Sequence, residues 1–189
     1  SENEFPAVPY KNATPEQLAA DFDLVASELK RIAGTAYNVG LQIHFADVPP
    51  SCYKVLADRG VKMLATRGRK LGATDPKYCD YHLPDRILDY LFHHQGWMDF
   101  ESGLIFYTAS TGTREWTTLE QTIPRIRTVI ENPAKSHLLN IGGHEQYWWP
   151  FYKNFVPDLY ERYATAFRFV LEQGYRPIWI NDGFFGGAE

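Results

Sequence analysis

Apolar positions first fall into a helical period between residues 15 and 33. Leu18, Phe22, Val25, Leu29 and Ile32 recur at spacings of four, three, four and three, which draws one stripe along an amphipathic helix. Its ends are marked too. Thr14 suits the N-cap, Pro15 the first helical position and Gln17 the far side of a capping box, and Gly34 supplies the stop. The pattern then alternates between short apolar runs and longer periodic stretches. "YNVGLQIHF" (37–45) reads as a strand, "PPSCYKVLADRG" (49–60) as a short helix closed by Gly60, and "VKMLA" (61–65) as a short buried strand. A long polar loop leads to a helix near 85–94 and a strand at "GLIFYTAS" (103–110). A helix follows over 117–131, with Pro124 near its first turns or at a kink, then the strand "SHLLNIGG" (136–143). The helix over 156–174 carries Leu159, Tyr163, Phe167 and Val170 on one face and ends at Gly174. "YRPIWIND" (175–182) reads as the last strand.

Five strands alternating with helices predict an α/β fold: a parallel β-sheet with flanking helices and right-handed crossovers. No internal repeat or low-complexity linker divides the chain, so residues 1–189 read as a single α/β domain. The first clear element is a helix, although a βα order would place a strand before it. Five strands are also too few for an eight-stranded barrel. The pattern therefore fits an open α/β sheet or the C-terminal part of a longer barrel.

Composition narrows the function classes. The chain holds 12 Tyr, 12 Phe and 5 Trp, 15% aromatic, and surplus rings either pack a core or line a sugar or peptide cleft. A net charge of −4 with scattered cations leaves no basic footprint for nucleic acid, and "RGRK" (67–70) is too short to supply one. No run approaches the length of a transmembrane helix. Cys52 and Cys79 make neither a disulfide framework nor a metal knuckle, so they read as plain thiols that fix no redox compartment. No signal peptide is visible, and the chain starts at Ser1 without methionine, so the native N-terminus is expected to be missing and localisation stays open.

In parallel α/β folds ligands gather beyond the carboxyl ends of the strands. His44 and Asp47 follow the first strand, Thr66, Arg67 and Arg69 the second, and Thr108, Ser110 and Thr111 the third. His144, Glu145 and Gln146 follow the fourth, and Asn181 and Asp182 the last. Two imidazoles with carboxylates on one rim suit a metal or acid–base chemistry. Polar groups also end strands simply because strand ends meet water, and Asp47 and Asp182 suit capping or turn roles equally well. The segment "HEQYWW" (144–149) exceeds that background: acid, imidazole, amide and rings stand together. Tyr147, Trp148, Trp149, Phe151 and Tyr152 form either a sugar-stacking wall or a plug closing a barrel end. His82 shows no ligand spacing, His93 and His94 suit the dipole at a helix C-terminus, and His137 starts a strand opposite the rim, so all four are set aside.

The C-terminal third, "LLNIGGHEQYWWPFY…PDLYERYATAFRFVLEQGYRPIWIND", resembles the last units of the polysaccharide deacetylase-like (NodB-homology) barrels. "NVGLQIHFADVPPSCYKVLADRGVKMLAT" is similar to an earlier unit of the same barrels: strand, Pro-containing turn, helix, strand. The "HEQY-aromatic" pattern is similar to that of a set of uncharacterised bacterial proteins grouped with those deacetylases, and the similarity spans most of residues 37–182. The resemblance implies a distorted seven-stranded (β/α) barrel and a hydrolase that removes acetyl groups from a glycan with a divalent metal, often zinc. His144 stands where the family's last histidine, a general acid, is expected. His44 and Asp47 stand where its Arg-and-Pro motif would lie, without the arginine, and are the candidate metal ligands. The family's base aspartate and metal histidines belong to the first two strands, so this chain is expected to be an incomplete barrel lacking them. The metal would then be held mainly by residues outside the chain.

The candidate residues are therefore His144, Glu145 and Asp182 for catalysis, and Trp148, Trp149, Tyr147 and Arg67 for substrate. A non-catalytic carbohydrate-binding protein on the same barrel is one alternative. A glycosidase using Glu145 and Asp182 is another, since such enzymes flank the bond with two carboxyls about 5–10 Å apart. Exposed apolar edges of an incomplete barrel would also allow a homodimer.

Overall fold

The computed structural model describes residues 10–34, 40–43, 46–66, 80–108, 111–112 and 117–180; at 111–112 it describes the backbone alone. Packing gathers these residues into two compact units. The first holds the described residues within 1–92, 96–108 and 179–189, and the second those within 93–95 and 109–178.

In the first unit, helix α1 (Pro15–Ala33) runs between the predicted ends. Thr14 accepts from the Gln17 backbone N–H at 3.2 Å, and Gly34 takes a positive φ of 55° at the C-cap. The predicted stripe is only half used. Leu18 is buried and Phe22 half-buried, but Val25 and Ile32 are 56% and 72% exposed and Leu29 is exposed as well. Helix α1 packs on the turn at Pro50–Cys52 and on α2 (Tyr53–Asp58), which together run for only nine residues against its 19. Apolar period fixes which face turns inward, not how far the cover extends.

The main sheet has strand order β1-β2-β4-β3. Strands β1 (Gly40–Leu41), β2 (Met63–Thr66) and β4 (Ile105–Thr108) are parallel, with Leu64 opposite both Leu41 and Phe106. All four residues of β2 are buried, as expected of a central parallel strand covered on both faces. Strand β3 (Gly96–Met98) is an antiparallel edge strand on β4, so the sheet is not wholly parallel. Its hairpin closes where Asp99 accepts from Gly103 N–H at 2.7 Å and Gly103 adopts φ 78°. Helix α3 (Asp85–His93) precedes it. The core centres on the Phe106 ring, with Tyr53, Tyr81 and Trp97 centroids at 5.1, 5.6 and 5.8 Å.

In the second unit, β5 (Thr111–Gly112) and β6 (Ile141–Gly142) pair in parallel, and α4 (Leu119–Ile130) packs on α5 (Leu159–Glu172). Thr118 and Gln121 form a capping box at the start of α4, and Pro124 lies inside the helix, one turn in. The inward face of α5 is Leu159, Arg162, Ala166, Phe169 and Val170. Of the four residues that the sequence places on one face, Leu159 and Val170 are buried, Tyr163 is half-buried and Phe167 is exposed. Arg162 takes the inner position because it is satisfied there. It donates to both Asp158 carboxylate oxygens, at 2.9 and 2.6 Å, and to the Thr117 carbonyl. No strand forms over residues 175–180. Tyr175 folds back instead, its backbone N–H donating to the Val170 carbonyl at 3.1 Å and its hydroxyl to the Ser136 carbonyl.

The architecture is thus mixed α/β, with a mainly parallel sheet and flanking helices. No described helix is long and apolar enough to cross a membrane.

Candidate functional site

Residues 143–152 leave β6 through an exposed Gly143 and enter a short helical turn, Glu145–Trp148. His144 caps that turn in an extended conformation, and both His144 and Glu145 are exposed. Tyr147 is the anchor. Its side chain is buried with Val156 and Leu159, its ring meets His144 edge-on at 5.8 Å, and its carbonyl accepts from Val156 N–H at 3.0 Å. Burying one ring of the run leaves its neighbours facing outward.

Trp148 lies nearly parallel to Tyr163, with centroids 5.8 Å apart and planes 11° apart. Tyr163 in turn lies at 6.0 Å and 22° from Phe167. With Tyr160 and Ala164 these residues line a shallow groove of about 410 Å³. Phe167 is 50% exposed and Tyr160 is exposed as well. Trp149 and Phe151 form a second near-parallel pair at 5.9 Å, both exposed. Exposed near-parallel rings offer flat apolar faces to the C–H faces of a sugar, and the Tyr hydroxyls give those faces polar edges.

Of the predicted residues, His144, Glu145, Tyr147, Trp148 and Trp149 thus stand together in the second unit, with Tyr147 buried as their support rather than presented to a ligand. His44, Arg67 and Asp182 lie outside the described residues. Tyr160, Tyr163 and Phe167 complete the aromatic face. The sequence signal for them was the ring at every third or fourth position of α5, which a core-facing helix shows as well.

Asp47, Thr66 and Thr108 stand at the carboxyl-end side of the first unit's parallel strands, as predicted. The Thr66 and Thr108 hydroxyls are 3.0 Å apart, and Thr66 also donates to the Tyr107 carbonyl. Asp47 is 3% exposed and meets His82, whose Nε2 lies 3.0 Å from its Oδ1. His82, set aside in the sequence, is the partner that spacing hid: 35 residues separate the pair.

The backbone that holds this pair is strained. Asp80, Tyr81 and His82 adopt φ of 42°, 60° and 58° in succession, and Ala46, next to Asp47, adopts 53°. Left-handed backbone costs an L residue about 1–2 kcal/mol. It persists here because Tyr81 is locked in place. Its ring is fully buried, its hydroxyl accepts from Ile43 N–H and donates to the Ala65 carbonyl, and its own carbonyl accepts from the Tyr53 hydroxyl. Burial pushes the Tyr81 phenol well above its ordinary range, with the Ile43 N–H pulling weakly the other way. Strain held by surrounding structure in this way concentrates at functional sites.

A zinc centre takes three or four protein ligands. Asp47 and His82 are two, and among the described residues no three His, Cys, Asp or Glu side chains come together to hold an ion. The described residues do not fit a metal centre by themselves.

No family model matches the chain, and neither the curated proteins nor the solved structures give a match.

Proposed function

We propose that the protein is a carbohydrate-active hydrolase of the polysaccharide deacetylase-like kind, acting on acetyl groups of a glycan. In this reading the chain is the C-terminal part of a distorted (β/α) barrel. The observation that carries the proposal is the aromatic face of Trp148, Tyr163 and Phe167, in which Trp148 comes from the same turn that exposes His144 and Glu145 and the other two rings from α5. The rings would hold sugar faces. His144, held by its edge contact with Tyr147, would deliver a proton to the departing sugar oxygen or nitrogen.

Proton NMR of acetylated chito- and xylo-oligosaccharides incubated with the protein and zinc tests this. Acetate release that His144→Ala abolishes is the expected result, and release indifferent to that substitution contradicts it. One observation favours a second reading, a carbohydrate-binding protein without turnover. His144 and Glu145 are both exposed, so neither is desolvated as strong acid–base groups commonly are. Oligosaccharide binding without acetate release would select that reading.

A further inference from the structure

We infer that Asp47 and His82 form a second proton-transfer site, one that hydrolyses acyl esters in the first unit. The inference takes its substrate class, an acyl group, from the reading above, but its residues and observations are separate from the aromatic face.

A carboxylate oxygen only accepts, so the hydrogen shared between Asp47 Oδ1 and His82 Nε2 sits on the imidazole. In the neutral ring that fixes the tautomer and leaves the lone pair on Nδ1, which has no hydrogen-bond partner among the described residues. The pair is asymmetric in exposure: the Asp47 side chain is 4% exposed and that of His82 34%. A buried acid thus orients an imidazole that water and a small substrate can reach, the arrangement that prepares a histidine to act as general base. Its placement agrees. Tyr81, adjacent to His82, is hydrogen-bonded to Ile43, just past β1, and to Ala65 in β2, which sets the turn at the carboxyl side of the parallel strands where ligands bind. The left-handed backbone at His82 is strain of the kind that concentrates at functional sites.

The step balances without a cofactor. His82 Nδ1 takes a proton from water as the water oxygen bonds to the acyl carbon and the carbonyl π pair moves onto oxygen. The tetrahedral species then collapses, the bond to the alcohol oxygen breaks, and the imidazolium proton passes to that oxygen. Ester and water give acid and alcohol, and His82 returns to its neutral form. His82 is the catalytic residue and Asp47 the positioning residue.

The test uses p-nitrophenyl acetate with the full chain. His82→Gly is suited to a φ of 58°, and because it also removes a partner of the buried Asp47, circular dichroism and thermal denaturation check that the variant is folded before its rate is compared. The wild type is expected to turn over the ester, His82→Gly to lose about tenfold or more, and added imidazole to restore the variant selectively. Asp47→Asn is expected to move the ring proton to Nδ1, visible in the ¹⁵N shifts of His82, and to lower the rate with the fold retained. Absent turnover in the wild type, an unchanged rate in His82→Gly, or equal imidazole stimulation of both would overturn the inference. His82-dependent turnover in a protein that binds no oligosaccharide would uphold this site while refuting the carbohydrate reading.

Discussion

The Tyr81 hydroxyl donates to the Ala65 carbonyl at 3.1 Å, and through that bond one buried phenol ties a left-handed turn to the central strand of the sheet. The same oxygen accepts from Ile43 N–H at 3.2 Å. Tyr81→Phe keeps the ring and its contact with Phe106 but removes both bonds. Leaving a buried N–H unmatched costs about 1–3 kcal/mol. Urea denaturation should show a loss of that size, with an unchanged slope.

Phe106 is fully buried beneath three other rings, so truncation leaves a void that few neighbours can fill. Phe106→Ala should destabilise by about 3–5 kcal/mol. Phe151→Ala, at an exposed position, should change stability by about 0.5 kcal/mol or less. Equal effects in thermal denaturation would contradict the placement of the core.

Hydrogen bonds from Arg162 hold the Asp158 carboxyl below the usual carboxylate range. A depressed folded-state value means the unfolded chain binds the proton more readily. The pair therefore stabilises fully at pH above about 4–5, and its contribution fades as pH falls through the unfolded value of about 4 toward the folded one. Asp158→Asn should cost about 1–3 kcal/mol at neutral pH, since Arg162 is buried while Asp158 is partly exposed. The difference from wild type should shrink in acid, and a difference that grows below pH 4 would refute this account.

Much of the fold was legible because local chemistry and tertiary packing agree. Thr14 and Gly34 delimit a helix that the sequence announces, and β2 and β4 appear where apolar runs lie. Edge strand β3 was missed because three residues, Gly96–Met98, carry no period of their own; their pairing is set by β4. The expected strand at 175–182 is not formed over 175–180, where Tyr175 instead joins the α4–α5 core. In the candidate site, "HEQYWW" was readable because its residue types are unusual together. The division of labour inside it was not, since one period cannot say that Tyr147 is buried while Trp148 is exposed. His82 was invisible because its partner is distant in sequence and its left-handed turn has no glycine to announce it.

The most direct measurement is a tryptophan fluorescence titration with chito- and xylo-oligosaccharides, comparing wild type with Trp148→Ala and with Trp97→Phe, whose indole packs on Phe106 in the first unit. The account predicts a saturable change in wild type and Trp97→Phe that is lost in Trp148→Ala, with no effect of the monosaccharides at equal concentration. No change with any oligosaccharide, or a change that survives in Trp148→Ala, would contradict it.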